Sequence, residues 1–475
     1  MNKKVIVSVL IIAVWLSFLA LKMKNYYKPP QDLTYLSVQY TKDLGAQENA
    51  YGIYLQERRI GSMKRWIIPG KNGYKVFEEG IMKIRFFEEK TEIRMNMYTD
   101  VDESFRLRNF VFQMSSNKEE MNIKGEMAGS FIQIHMITKG KGNTYMIPMK
   151  ERPVVSSTIL PYMLKKGFAQ GATVSIPLFD PATMSRYDAD VAPLGWEKVR
   201  IDGEAVRAFH VRTVFKGVEL HAWVDEAGVI VKELSPLGLV IQKESGETAE
   251  ATFFDTQSLS SVETKGTIGN PRAVTYMKAR IDTRPELVSV IKKFYDVKEG
   301  CLELQAGASP LARMVPADFL GPSVFINSDD REIKQFLRTI IKPEMGDREK
   351  VVAIKDWVYK NIKKIPTFSV PTARDVFRTR AGDCNEHAVL FAALARAAHI
   401  PCLIVSGMAY SSMGGFYYHA WNLIYLEGKW VEADSTFGEF PADATHIILA
   451  LGDISDGIEI IPFLKNIKIE VVASR

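Results

Sequence analysis

Two periods divide this chain. From about residue 36 to 260, apolar side chains recur at every second position. Ile93, Met95 and Met97 alternate with Arg94, Asn96 and Tyr98. Ile132, Ile134 and Met136 alternate with Gln133 and His135, and Val206 to Val211 repeats the pattern. Gly70-Lys71-Asn72-Gly73 and Glu226-Ala227-Gly228 stand where turns are needed. Alternation with one polar face predicts a large antiparallel sheet packed on one side. His135, His210 and His221 lie in these strands, where a satisfied structural or surface role is the simple reading. Nothing in this stretch suggests chemistry.

From about residue 322 the period becomes helical. Ile333, Phe336, Leu337 and Ile340 form one stripe, closed by Pro343; Val351, Ile354, Trp357, Val358 and Ile362 form a second. Between the two regimes, Gly269-Asn270-Pro271 and Leu320-Gly321-Pro322 punctuate a connecting region. The change of period predicts separable domains.

The third helical stretch begins at a cysteine, in Gly382-Asp383-Cys384-Asn385-Glu386-His387-Ala388 followed by Val389 to Ala395. A thiol at a helix N-terminus faces the positive end of the macrodipole and unpaired N–H groups, which favour the thiolate. Downstream, His419 opens the strand His419 to Tyr425, and Lys429 to Asp434 returns after the turn candidate Glu427-Gly428. A two-residue loop there sets Asp434 opposite Trp421 and makes it a diagonal neighbour of His419; a one-residue slip would separate them. The expected chemistry is attack by Cys384 on an amide carbonyl. His419 forms an ion pair with the thiolate and then protonates the leaving amine, while Asp434 orients the imidazole. The spacing of Cys384 and His387 also suits a metal pair, but no second ligand pair accompanies it, so neither a metal nor a cofactor is expected.

Three motifs here look like those of the transglutaminase-like superfamily. Arg380 to His387 with Ala395 to Pro401 resembles its nucleophile motif, Tyr418-His419-Ala420-Trp421-Asn422 its histidine motif, and Trp430 to Thr436 its aspartate motif. The resemblance covers about 320–455. It implies a papain-like α+β core and a Cys–His–Asp triad on Cys384, His419 and Asp434. It also implies amide chemistry on a peptide or protein: peptidase, amidase or acyl transferase. Some members of the family are catalytically inactive binding modules, which supplies the alternative of an envelope binding or assembly factor. A tryptophan upstream of the cysteine assists the oxyanion in some members. Trp357 stands upstream here, but within a helical apolar stripe, where core packing is the simpler role.

The N-terminal end and the charge adjust this picture. Val5 to Leu21 is an apolar run interrupted only by Ser8 and Ser17. As a helix it spans about 26 Å, the short end of a membrane crossing, and no small-x-small cleavage site follows it. The expectation is an uncleaved signal anchor with the body outside the cytoplasm, periplasmic or at the cell surface. The net charge is +5, and Lys3, Lys4, Lys22 and Lys24 account for four of it, so the remainder, about +1, argues against a nucleic-acid surface. Of three cysteines, Cys301 and Cys402 could pair; Cys402 lies in an apolar run that suits a buried thiol. The expected order is an anchor (1–24), a β-rich domain (36–260), a connecting region (261–321), a transglutaminase-like domain (322–455) and a C-terminal extension (456–475). The oligomeric state is left open. At a water-exposed site outside the cytoplasm, hydrolysis is favoured over transfer.

Overall fold

The computed structural model describes residues 47–475 apart from 87–88, 117–119, 139–140, 168–171, 216–217, 236–237, 245–249, 256–259, 308–313, 366–371 and 453–459. The Val5–Leu21 run lies outside the described residues. Among those described, no helix is long and apolar enough to cross a membrane.

The first half is one large antiparallel sheet. Eight strands, from Gln47–Leu55 to Lys141–Pro148, pair in chain order; the first also pairs with Leu239–Lys243, from which six strands run back to Val174–Asp180. The two outer ends approach through Val154, whose N–H donates to the Pro177 carbonyl and whose carbonyl accepts from Phe179 N–H (2.8 and 2.9 Å). The helix Ile159–Lys166 has six consecutive buried residues, Ile159 to Leu164. A helix apolar on all sides must be enclosed. Here Ile159, Leu160 and Met163 share a core with Val76, Val101, Phe209 and Val211 from both halves of the sheet. His210 and His221 hydrogen-bond to one another at 2.8 Å, and His135 to Gln133 and Thr144.

The spans read as a connecting region and a C-terminal extension contain regular structure. Residues 261–321 hold the strands Glu263–Lys265, Tyr276–Asp282 and Cys301–Gln305 and the helix Pro285–Ile291. These strands form one four-stranded sheet with Lys468–Ser474 near the end of the sequence. Their alternation is too short to stand out from sequence beside the Gly and Pro punctuation, yet Met277, Ala279, Ile281, Leu302 and Leu304 are all buried. Cys301 is half-buried and free, and no disulfide joins it to buried Cys402.

The second half contains α1 (Arg331–Ile340), α2 (Asp347–Asn361), α3 (Ala373–Thr379) and α4 (Cys384–Ala397). It also contains a sheet of β1 (Cys402–Ser411), β2 (Gly415–Leu426), β3 (Lys429–Ala433) and β4 (Ile447–Gly452), in the order β3-β2-β1-β4. Helix α4 is buried from Glu386 to Arg396, packed between the three other helices and strands β1 and β2. Small residues Ala388, Ala392, Ala393 and Ala395 let these neighbours approach. One apolar cluster includes α4 together with Leu107, Phe110, Ile123, Ile132 and Ile134 of the first sheet, so burial is continuous across the expected domain boundary.

Ile469 is 1% exposed within the core that the four-stranded sheet shares with Met408, Phe416 and Ile447 of the second half. Ile469→Ala should therefore destabilise the protein by about 2–5 kcal/mol, read as a lowered urea midpoint. An unchanged midpoint would show that 468–474 is a dispensable tail.

Candidate functional site

Backbone geometry brings the predicted residues together. Ahead of α4, Lys363–Lys364 pairs in parallel with Ala381–Gly382, which fixes the segment entering the helix. Asp383 caps the helix. Its Oδ1 accepts from Asn385 N–H and its own N–H donates to Glu386 Oε2, both at 2.8 Å. A Cβ at position 382 would lie 2.2 Å from that of Glu386, so glycine is required where this side chain folds back. Cys384 is the first helical residue and half-buried.

The hairpin has the register that the sequence suggested. Glu427 and Gly428 both have positive φ (51° and 83°), as a type I′ turn requires. The pairing runs from Leu426↔Lys429 to Asn422↔Ala433, and one step further sets Trp421 against Asp434. His419 Nε2–H donates to Asp434 Oδ2 at 2.7 Å; the two residues are 5% and 0% exposed. The neighbouring Ala420 N–H hydrogen-bonds the Cys384 sulfur. Gly407 permits this packing: a Cβ there would meet the Ile447 carbonyl oxygen at 2.0 Å and the Trp421 ring at 2.9 Å.

Several contributors were not singled out from sequence. Asp434 accepts four hydrogen bonds. Oδ2 takes His419 and also His446 Nε2–H (3.1 Å), and Oδ1 takes the N–H groups of Thr436 (2.6 Å) and Phe437 (3.0 Å). The Phe437 ring lies flat on His419, with centroids 4.3 Å apart and planes within 9°. The Arg272 guanidinium sits 4.0 Å from the centroid of Phe437 and 3.0 Å from Asp443 Oδ2. Tyr418 O–H donates to Asn385 Oδ1 at 2.9 Å, tying β2 to the start of α4. The sequence signal for these residues is partial: His446 and Arg272 lie outside the three motifs, and Arg272 falls in the supposed connecting region. Trp357 packs on Phe336 and beneath Arg380 (4.4 and 4.3 Å), which is the packing role.

The electrostatics around the thiol oppose one another. Burial, followed by the charge of Asp383, pushes the Cys384 thiol well above its ordinary range; the Ala420 N–H opposes this without reversing it. Burial and the Asp383 charge thus act against the thiolate that the helix N-terminus favours. Asp434 shows the opposite balance. Burial disfavours its charge, but His419 and then His446 outweigh it and hold the carboxyl far below its usual range. His446 is likewise penalised by burial, yet its hydrogen bonds to Asp434 and Asp443 hold it charged well above the usual histidine range. Burial raises Glu432 to about 7; burial and then Asp443 raise Glu439 to about 8.

His419, Asp434 and His446 bring one donor atom each within 4.8 Å of one another, as do Glu439, Asp443 and His446. Hydrogen bonds and ion pairs already account for the closeness of both groups. His387, the other half of the metal-pair reading, has its Nδ1 2.6 Å from the Asp383 carbonyl of its own helix and joins no three-donor group among the described residues.

The native state thus holds protons that the unfolded chain releases. Glu432 and Glu439 keep theirs to about 7 and 8 against an ordinary 4.5, and His446 keeps its own above the usual histidine range. Raised folded pKa values stabilise below the unfolded values and lose that stability as pH climbs through the folded ones. The urea midpoint should fall as pH rises from 5 to 9, and Glu439→Gln should flatten the fall. A midpoint that rises over this range contradicts the assignment.

Comparison with known proteins finds similarity over the part of the chain that holds this site. Residues 334–435 match the model of the transglutaminase-like superfamily. Kyphoscoliosis peptidase of Mus musculus is 29% identical over 130 residues, 24% of this chain and 19% of that protein. The Homo sapiens protein of that name is 28% identical over 123 residues, 22% and 18% of the two chains. The chain spans about a fifth of the length of these curated relatives. A solved structure of a candidate cysteine protease from Cytophaga hutchinsonii covers 44% of this chain and 77% of its own, with 20% identity and a TM-score of 0.27. A β-barrel-like protein from Brucella abortus covers 42% and 95%, with 12% identity and a TM-score of 0.32.

Proposed function

We propose that the transglutaminase-like domain performs thiol-dependent amide-bond hydrolysis or acyl transfer on a peptide or protein, with Cys384 as nucleophile, His419 as general base and acid, and Asp434 as the group that orients His419. The observation that carries this reading is the buried 2.7 Å hydrogen bond from His419 Nε2 to Asp434, beside a cysteine whose sulfur is bonded by the next residue's N–H. With Nε2–H donated to Asp434, the lone pair of His419 resides on Nδ1. As the Cys384 sulfur bonds to the carbonyl carbon, its proton passes to Nδ1. The imidazolium then gives that proton to the leaving amine as the C–N bond breaks, leaving a thioester. The first-turn N–H of Cys384, unpaired within its helix, suits the developing oxyanion. Water or a second amine resolves the thioester and regenerates the thiol, water giving an acid product and the amine a new amide.

A second reading, a catalytically inactive binding or assembly factor, is favoured by the same burial and by Asp383, which hold the thiol protonated. The two readings separate on covalent chemistry. Incubating the full chain with a peptide library and a labelled primary amine should yield a labelled peptide product and a transient thioester on Cys384. Cys384→Ser should abolish both, since a hydroxyl is a far weaker nucleophile here. His419→Ala should lower the rate by at least about a hundredfold, and Asp434→Asn by less than His419→Ala. No adduct with any peptide, from a chain that folds normally, would favour the binding module.

The location proposed for this chemistry is outside the cytoplasm, with the body tethered by residues 1–24. The apolar run Val5–Leu21 and its very short leading tail support this. Protease added to cells with a permeabilised outer layer should digest the body. Protection until the inner membrane is broken would reverse the topology.

A further inference from the structure

We propose that His446 is a positioning residue for this site: it binds the same oxygen of Asp434 as His419 does and, by sharing that carboxylate, keeps His419 free to take the Cys384 proton. This rests on the triad reading above. The geometry of His446 fixes its state. Its Nε2 faces Asp434 Oδ2 at 3.1 Å; its Nδ1 faces the Asp443 carbonyl oxygen at 3.1 Å and Asp443 Oδ1 at 3.4 Å. These partners can only accept, so both ring nitrogens must donate, and a ring with two N–H groups is an imidazolium. The ring is 2% exposed and packs edge-on to Trp421 at 5.0 Å, which leaves it little freedom to turn away.

The charge of His446 bears directly on His419. The two ring centroids are 5.7 Å apart. Protonating His419 would put two imidazolium ions on one carboxylate oxygen, and a like charge at this range disfavours the second proton. An Asp434 bound by His419 alone would instead hold the imidazole in its charged form, which cannot accept the thiol proton. In a site where burial keeps Cys384 as a thiol, a neutral His419 is what attack requires. The other charged groups around His446 are Asp443, which Arg272 anchors at 3.0 Å, and the carboxyls of Glu432 and Glu439.

The test needs no substrate. The full chain is treated with iodoacetamide from pH 5 to 9, and the rate of Cys384 alkylation is read by peptide mass. In the native chain the rate should rise with pH along a limb that His419→Ala removes. In His446→Gln, which keeps an N–H donor but no charge, that limb should move up by about one pH unit. The rate at the native midpoint then falls about fivefold, while the rate at pH 9 stays within about twofold of native. His446→Asn, which likewise removes the charge, should move the limb the same way and is a second route should His446→Gln fail to fold. Glu432 and Glu439 both feel His446 and Asp443, so the comparison is repeated with these two carboxyls replaced by Gln, where the shift of the limb should persist. A limb that stays in place, moves to lower pH, or loses rate equally at every pH in both variants overturns the proposal. A native chain with no limb dependent on His419 overturns the triad reading itself, which is a separate and recognisable failure.

Discussion

A single buried carboxylate organises the second half of this protein. Asp434 is fully enclosed and accepts four hydrogen bonds, two from backbone N–H groups of its own turn and two from imidazoles. An ionised carboxylate without partners at such depth would cost several kcal/mol, so these donors are a condition of the fold. The turn must place Thr436 and Phe437 beneath Oδ1, β2 must carry His419 to Oδ2, and the segment before β4 must deliver His446. Each constraint ties a different stretch of chain to the same oxygen pair.

The parts of this arrangement that obey local rules could be read in the sequence. Alternation along 93–97 and 132–136 marked strands because one face of each is buried, and Glu427-Gly428 set the hairpin register because few residue pairs adopt two left-handed conformations in succession. His419 and Asp434 followed from that register. His446 and Arg272 were not legible, because nothing local to them signals their roles. His446 acts through a contact to Asp434, on the far side of an irregular loop, and Arg272 reaches Asp443 from a distant part of the sequence, ahead of the whole helical region. The strand Lys468–Ser474 was missed for a related reason. Its partners, Glu263–Lys265 and Tyr276–Asp282, lie on the other side of the transglutaminase-like domain in sequence, and a short edge segment shows its pattern only once paired.

The surroundings of the thiol show how a local rule meets opposing effects. The helix N-terminus does favour a thiolate, by an amount typically below about 1 kcal/mol at an exposed site. Burial acts on the same group in the opposite direction. The capping carboxylate Asp383, which satisfies the first N–H groups of the helix, adds negative charge beside the sulfur. Capping and thiolate stabilisation therefore compete at the same helix end. In the proposed reaction His419 would then have to remove a proton during attack and not merely accompany an anion.

Charge balance explains how so many acids tolerate one another here. Glu432, Asp434, Glu439 and Asp443 surround two imidazoles and one guanidinium. If all four acids were ionised, the two fixed cations, His446 and Arg272, would leave two negative charges uncompensated in a buried site. Burial resolves this by raising Glu432 to about 7 and Glu439 to about 8, so that near neutral pH these two carry most of the missing protons. What remains is Asp434 against His446 and Asp443 against Arg272, two matched pairs that share the His446 ring. The small sheet built from residues 261–305 and 468–474 holds this arrangement from behind. It shares a core with Met408, Phe416 and Ile447, while Tyr295 accepts the Ile448 N–H at 2.8 Å, so the stretch that looked like a connection in the sequence supports the strands that carry the site.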